Sequence, residues 1–249
     1  MIQIYNQDCA DILLKFFNDK TIIVTDPPFN INYHYNTYRD KMNEQEYYNW
    51  LSNIFKNRKS VVIHYPEQLH KLSINMNVAP FKVISWIYNS NTAKQHRDIA
   101  FYNINPSMKQ VTQPYKNPND RRIKERIARG CTGAKLYDWW NINQVKNVSE
   151  EKTEHPCQMP LKVMENIIGI LPYDAIIIDP FMGSGTTGVA VVNMNKKQNA
   201  NRSFIGVEID EKYFKIAQNR LNLDKLIQER SEMYMNHKEI KIGEYKVEE

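Results

Sequence analysis

The chain has 249 residues, which is enough for one α/β domain with a small insertion. Hydrophobic residues make up 42% and charged residues 24%, and no apolar run reaches the roughly 18 residues that cross a bilayer. We therefore expect a soluble protein without a membrane partner. The N-terminal residues lack the basic start and apolar block of a secretory signal, which predicts a cytoplasmic location. The three cysteines are scattered without metal-ligand spacing, so we expect neither disulfides nor a metal site.

The net charge of +5 is concentrated in one segment, residues 107–135, called the basic segment below. It contains eight Lys or Arg and two acidic residues, so it carries +6 and the rest of the chain carries −1. Such clustering is typical of a surface that contacts phosphates, although a solvated basic helix has the same composition.

The first part of the chain has a β-α-β pattern. A short strand at residues 2–5 precedes an amphipathic helix at 9–17, and the apolar run at 21–25 is the next strand. A helix over 46–55 and a strand over 60–65 are predicted after it. In the middle of the chain, regular structure is weakly indicated, with strand-like pieces at 81–88 and 98–104 and a helix-like stretch at 120–130.

The last part alternates helices and strands more clearly. The pattern predicts a helix that ends at Pro172, a strand at 175–179, a glycine turn, a helix at 189–195, a strand at 203–210 and a helix at 211–223. Residues 224–249 read as a helix followed by an edge strand or a tail. This alternation predicts a mostly parallel sheet with helices on both faces.

The glycine turn "DPFMGSGTTG" has the features of a nucleotide-binding strand-turn-helix. Asp179 closes the strand, and Gly183 and Gly185 allow a tight turn and the close approach of a ligand. Glu208 lies at the end of the next strand, where an acid can bind ribose hydroxyls, and Asp8 could accept from an adenine amino group. Because neither a full G-x-G-x-x-G nor a P-loop lysine is present, S-adenosylmethionine is favoured over a dinucleotide or ATP.

The short stretch "DPPF" at residues 26–29 ends the second strand, since two prolines remove two backbone donors. In a parallel sheet the strands' carboxyl ends share one edge, so we expect Asp26 to face the cofactor. Transfer of a methyl group to an exocyclic amine needs a tetrahedral nitrogen, which the Asp26 carboxylate and the Pro27 carbonyl can stabilise. Phe29 offers a ring on which a base taken out of the DNA helix can stack.

These residues resemble the amino-methyltransferases that modify adenine N6 or cytosine N4 in DNA, particularly their beta class. In that class a D/S-P-P-Y/F/W motif precedes the F-x-G-x-G motif and the target-recognition region lies between them, as in this chain. "NQD", "HRDIAFY", "EHPCQMP" and "FIGVEIDEKYFKIAQNRL" extend the resemblance over nearly the whole chain. This motif order differs from that of glutamine methyltransferases, which have an N-P-P-Y motif after the glycine motif. One departure is Met159, which stands where the H-P-T-Q/E-K-P box usually has lysine.

The resemblance implies a Rossmann-like fold with permuted motif order, one domain over residues 1–249 and a recognition insertion at about 103–150. It implies catalytic roles for Asp26, Pro27, Pro28 and Phe29. It implies cofactor binding by Asp8, Cys9, Asp26, Gln158, Pro160, Asp179, Phe181, Gly183, Ser184, Gly185, Thr186, Thr187, Glu208 and Ile209. The implied partner is double-stranded DNA, with a homodimer and a cognate restriction endonuclease as further candidates, in a bacterial or phage-encoded protein.

The DNA contacts are expected from the basic segment and from a loop after "DPPF". The candidates are Arg121, Arg122, Lys124, Arg126 and Arg129 for phosphates or guanine edges, and His34 and Tyr35 for the flipped base. Asp rather than Ser at position 26 resembles the adenine-N6 members. Cytosine N4 methylation, RNA adenine methylation and a DNA-binding protein that has lost catalysis remain as alternatives.

Overall fold

The computed structural model describes residues 1–34 and 39–222. Its strands are β1 (Ile2–Tyr5), β2 (Thr21–Thr25), β3 (Tyr33–His34), β4 (Arg39–Asp40), β5 (Ser60–His64), β6 (Lys82–Ile87), β7 (His96–Tyr102), β8 (Thr112–Gln113), β9 (Ala134–Lys135), β10 (Trp139–Asn141), β11 (Ile176–Asp179) and β12 (Ser203–Val207). Its helices are α1 (Cys9–Lys15), α2 (Glu44–Phe55), α3 (Pro66–Met76), α4 (Arg121–Ala128), α5 (Leu161–Gly169), α6 (Thr186–Gln198) and α7 (Glu211–Arg220).

Eight strands form one sheet in the order β1-β12-β11-β2-β5-β7-β6-β10. All neighbouring pairs are parallel except the two that involve β7, which runs antiparallel to β5 and β6. The reversal brings the first residues of β7 to the edge where the other strands end, since His64 pairs with Asp98. The predicted mostly parallel α/β fold is thus confirmed. The antiparallel direction of β7 was not predicted.

The sheet is covered on both faces, as its sequence requires. All five residues of β2 are buried, and alternate side chains enter opposite cores. Ile22 and Val24 pack in one core with residues of α5, α6 and α7, whereas Ile23 packs in the other with residues of α1, α2 and α3. This sandwich holds the ends of the strands in fixed positions.

Two helices differ clearly from the sequence prediction. Helix α6 begins at Thr186, directly in the glycine turn, rather than at residue 189. The unpredicted helix α3 begins at Pro66, which suits the first helical position, and buries Leu69, Leu72 and Met76. The predicted C-terminal helix and edge strand lie outside the described residues.

The region between β7 and α5 is built from short elements. Strands β8 and β9 pair with each other, α4 lies between them in the chain, and β10 returns to pair with β6 at the edge of the main sheet. The predicted insertion at about 103–150 therefore includes one strand of the main sheet. In the described part of the chain, no helix is long and apolar enough to cross a membrane.

Candidate active site

Four acidic residues follow the carboxyl ends of four parallel strands. Asp8 follows β1, Asp26 follows β2, Asp179 ends β11 and Glu208 follows β12. Because these strands are parallel neighbours, their ends share one edge of the sheet. All four acids line a single cavity of about 340 Å³ there.

The glycine turn forms one wall of this cavity. Gly183 and Gly185 have φ values of 50° and 75°, in the left-handed region that favours glycine. A Cβ atom at Gly183 would lie 2.8 Å from the Nε2 atom of His155. The turn therefore depends on glycine for both its conformation and its space.

Glu208 connects this turn to the loop after β12. Its carboxylate accepts hydrogen bonds from the backbone N–H of Gly183 at 3.0 Å and from that of Asp210 at 2.8 Å. Burial raises the pKa of Glu208 to about 7. A carboxylate oxygen can accept more than one hydrogen bond, so ribose hydroxyls remain compatible partners.

Asp179 is held within the protein. It accepts from the Thr25 hydroxyl at 2.7 Å, from the Phe181 backbone N–H at 3.2 Å and from the Thr187 hydroxyl. Burial raises its pKa to about 6. These contacts fix the glycine turn against β2. They therefore set the distance between the glycine turn and the "DPPF" motif that follows β2.

The hydroxyls predicted to face the cofactor have partners within the protein as well. Arg220 donates to the Ser184 hydroxyl at 2.9 Å and to the Thr186 hydroxyl at 2.8 Å. The Gln158 side-chain oxygen accepts from the Thr153 backbone N–H at 2.8 Å. These groups hold the walls of the cavity in place.

Most of the residues predicted to bind the cofactor line this cavity. They are Asp8, Cys9, Asp26, Gln158, Asp179, Phe181, Gly183, Ser184, Thr186, Thr187, Glu208 and Ile209. Gly185 and Pro160 do not belong to the lining; Pro160 is the N-cap of α5. Burial raises the pKa of the Cys9 thiol to about 12, so this side chain is a neutral, largely apolar group at neutral pH. Ile209 is 57% exposed beside the cavity.

The "DPPF" residues line the same cavity. The Asp26 Oδ2 atom lies 3.2 Å from the Nη1 atom of Arg97, and both side chains are only about 15% exposed. Burial raises the pKa of Asp26 to about 6, an effect that Arg97 opposes and Asp179 reinforces. The buried Oδ1 atom has no hydrogen-bond donor among the described residues. A donor from a ligand would satisfy it.

The ring of Phe29 is buried among polar and aromatic groups. It stacks on the ring of His64 with centroids 4.2 Å apart, and the guanidinium carbon of Arg97 lies 4.6 Å from its centroid. Stacking of Phe29 on a substrate base stays a prediction.

One chain of hydrogen bonds anchors the loop after β2. The Tyr65 backbone N–H donates to the Nδ1 atom of His64 at 2.8 Å, so the proton of this ring is on Nε2. Nε2 lies 2.9 Å from the Tyr47 hydroxyl, which donates to the Pro28 carbonyl at 2.6 Å. Burial lowers the pKa of His64 to about 3, which keeps the ring neutral. The Pro28 carbonyl is thus occupied, which is consistent with the predicted use of the Pro27 carbonyl.

The residues after "DPPF" are fixed by Asp40. Its carboxylate accepts from the backbone N–H groups of Asn30 at 2.8 Å and Ile31 at 3.2 Å. The Asn30 side chain also exchanges two hydrogen bonds with the backbone of Met42. His34 lies in β3, which pairs with β4, and Tyr35 lies outside the described residues.

The predicted DNA-binding arginines and Lys124 lie on or directly after α4, away from the cavity lining. The helix begins after its N-cap Asp120, and none of its residues is buried. A second cavity of about 480 Å³ lies between α4 and the β8–β9 pair. Its cationic lining residues are Lys109, Lys116, Arg126 and Lys135.

Sequence reasoning missed several residues around "DPPF". They are Arg97, His64, Tyr47 and Trp50, whose ring centroid is 5.3 Å from that of Phe181. The position of His64 at the end of a buried strand is a signal that could have indicated it. Arg97 had no such signal, because it lies at the start of its strand and reaches the site only through the reversal of β7.

Comparison with known proteins agrees with this geometry. A family model described as DNA methylase (N6_N4_Mtase) matches residues 21–219. The type II methyltransferase M.BglII of Bacillus subtilis is 28% identical over 86% of this chain and 67% of its own length. The DNA adenine methyltransferase YhdJ of Escherichia coli is 23% identical over 81% of this chain and 76% of its own length. The crystal structure of an M1.HpyAVI–SAM complex covers 89% of this chain and 100% of its own, with 26% identity and a TM-score of 0.59.

The fold and the cavity define a Rossmann-like methyltransferase with S-adenosylmethionine as its cofactor. The glycine turn and the acid that follows β12 fit this group, since they offer close backbone approach and a carboxylate in one cavity. The chain belongs to the DNA methylase family of N6/N4 amino-methyltransferases and has the motif order of its beta class.

Proposed function

We propose that the protein methylates the N6 amino group of adenine at specific sites in double-stranded DNA. The observation that carries this proposal is the Oδ1 atom of Asp26, a buried acceptor that has no donor among the described residues. It lies in the cavity that also contains the glycine turn and Glu208. An amino group of a base extruded from the duplex would supply the missing donor.

The chain's own residues can activate such an amino group. Asp26 and the Pro27 carbonyl would each accept one N–H, which favours a tetrahedral nitrogen and stabilises its developing positive charge. One hydrogen of the amino group then leaves as a proton toward Asp26. The Tyr47 hydroxyl holds the Pro28 carbonyl at 2.6 Å and so keeps the loop rigid.

The cofactor would be held by the opposite wall. When bound, S-adenosylmethionine supplies an activated methyl group. Glu208 is suited to the ribose hydroxyls, Asp8 to the adenine and the backbone of the glycine turn to the amino-acid end. The Asp179 contacts to Thr25 and Thr187 hold this wall beside Asp26.

Adenine is favoured over cytosine by two observations. The motif begins with Asp26 rather than serine, as in the adenine-N6 members that it resembles. YhdJ, which aligns with 81% of this chain, is a DNA adenine methyltransferase. We further propose that the basic segment grips the duplex and that a cognate restriction endonuclease shares the target site, as suggested by similarity to type II methyltransferases.

The test is product identification. Unmethylated duplex DNA is incubated with the protein and S-adenosylmethionine, digested to nucleosides and separated by mass. N6-methyladenine is the expected product. Detection of N4-methylcytosine alone would contradict the proposal and identify cytosine as the target base. If calorimetry detects no S-adenosylmethionine binding at millimolar concentration, the chain is instead a DNA-binding protein on this fold. Competition between duplex DNA and structured RNA tests the remaining alternative, which is adenine methylation in RNA.

A further inference from the structure

The charged side chain of Arg97 is largely buried. The residue lies at the start of β7, and its side chain is 14% exposed. Its guanidinium carbon is 4.6 Å from the ring centroid of Phe29, 5.5 Å from that of Trp86 and 5.7 Å from that of Tyr65. Three aromatic rings therefore shield this cation from water and interact with its charge.

Among the described residues, Arg97 forms an ion pair with Asp26. The Nη1 atom of Arg97 lies 3.2 Å from the Oδ2 atom of Asp26. The contact uses only Oδ2, so Oδ1 remains without a donor. Breaking a buried pair of this kind leaves an uncompensated charge, which is strongly unfavourable. The arrangement orients Asp26 and balances its charge from one side while leaving the other side for a ligand.

We propose that Arg97 is a positioning residue for methyl transfer: it holds Oδ2 of Asp26 and so presents Oδ1, as an anion, to the amino group of the target base. This role rests on the proposed function of Asp26. It concerns a residue outside the "DPPF" motif, 71 positions further along the chain.

The surroundings explain why Asp26 needs a cation. Burial, reinforced by Asp179 and opposed by Arg97, raises the pKa of Asp26 to about 6. The titratable and charged groups that face this pair are Asp179 from β11, Tyr88 after β6, His64 and Tyr65 at the end of β5, and Lys94 over the ring of Tyr65. Without Arg97 the pKa of Asp26 would lie higher, so a larger fraction of its carboxyl would be protonated and uncharged at neutral pH.

Met159 indicates how this site differs from the resembled family. The family's box usually has lysine at this position, whereas here the Met159 sulfur lies 3.8 Å from the Nη1 atom of Arg97. A lysine at 159 could therefore bring its ammonium group to the place where the guanidinium now lies. In this chain the cation beside Met159 comes from β7.

The experiment compares Arg97→Met, Arg97→Lys and the double variant Arg97→Met/Met159→Lys with the unchanged protein. The first readout is the pKa of Asp26, followed by carbon NMR of labelled aspartate and assigned by its absence in Asp26→Asn. The second is single-turnover methyl transfer from pH 5 to 9. Arg58→Met is the matched control, because Arg58 also lies over a phenylalanine ring, 4.9 Å from Phe17, but outside the cavity lining.

We expect Arg97→Met to raise the pKa of Asp26 by about one to three pH units, the usual effect of removing a nearby opposite charge. The acidic limb of the rate profile should move by the same amount, with a loss at pH 6.5 of about threefold for a shift of one unit and about 20-fold for two, which recovers towards pH 9. Arg97→Lys and the double variant should keep the limb near its original position, and Arg58→Met should not move it.

An unchanged Asp26 pKa in Arg97→Met would overturn the proposal, as would a rate loss that is equal at all pH values and is not rescued by Met159→Lys. If Arg97→Met does not fold, the same comparison is made between Arg97→Gln and Arg97→Lys. The NMR titration does not depend on turnover, so a protein that methylates no DNA would refute the proposed function while the pairing of Arg97 with Asp26 is still decided.

Discussion

The cavity at the carboxyl edge of the sheet and the basic segment hold their charged groups in opposite ways. In the cavity Asp179 is 3% exposed and accepts three hydrogen bonds from fixed donors. In the basic segment the side chains of Arg121 and Arg122 are 92% and 89% exposed, and their carboxylate contacts lie on the surface. Buried, partnered groups keep one geometry, whereas exposed arginines can adapt to a partner. Under the proposed function, the catalytic groups are held in one geometry, whereas the arginines proposed to contact DNA stay adjustable.

The largest expected effect comes from removing the acceptor in the cavity. Asp26→Ala should lower the rate of methyl transfer by at least about 100-fold, the usual cost of losing one preorganised electrostatic contact to the transition state. Calorimetry should find S-adenosylmethionine binding nearly unchanged, because the other predicted cofactor contacts, from Asp8, the glycine turn and Glu208, are kept. Asp26→Asn, which keeps the size of the side chain, should lose a similar factor. A loss below tenfold in both variants would contradict the role of Asp26.

A smaller effect is expected from the glycine turn. Gly183→Ala places a Cβ atom 2.8 Å from His155 at a φ of 50°, so the turn must shift. We expect the dissociation constant of S-adenosylmethionine to rise about tenfold and the free energy of unfolding to fall by about 1–3 kcal/mol. Titration calorimetry and thermal unfolding measure these changes.

Gly130→Ala is the matched control for this change. Gly130 also has a positive φ, 86°, but a Cβ atom there would meet nothing within 4 Å. It should lose about 1 kcal/mol of stability through backbone strain alone. Equal changes of cofactor affinity in the two variants would show that the turn does not shape the cofactor site.

The smallest effect is expected in the basic segment. Arg122→Ala should weaken DNA binding about threefold, reduce the slope of log affinity against log salt by about 1 and leave stability within about 0.5 kcal/mol. Lys20→Ala is the control, since Lys20 is an exposed cation outside the basic segment that pairs with Asp174. Fluorescence anisotropy at several salt concentrations distinguishes the two. An identical response of both variants would remove Arg122 from the DNA surface.

Much of the fold followed from local patterns. The buried strand at Thr21–Thr25 and the helix that begins at Leu161 have the apolar spacing of their elements, and both are present. The strand ends then located Asp26 and Glu208 on one edge. The direction of β7 and the return of β10 to the sheet could not be predicted, because both depend on pairing with residues distant in sequence. Arg97 was missed for the same reason.

The partners of the glycine turn were also beyond the sequence. Ser184 and Thr186 have the residue types expected to meet a cofactor, yet their hydroxyls accept from Arg220, 34 to 36 positions later in the chain. A pattern identifies which residue types surround a ligand, but the competition among nearby donors decides which of them remain available to it.

The hydroxyl of Tyr47 has a consequence for how this sequence can vary in evolution. It contacts the Nε2 atom of His64 and the Pro28 carbonyl at once, so its removal would take this partner from a buried ring nitrogen and from a half-buried carbonyl. A change to phenylalanine at this position would cost less stability together with a change at His64 that removes the ring nitrogen. Residues 47 and 64 should therefore be inherited as a pair, although one lies on a helix and the other on a strand.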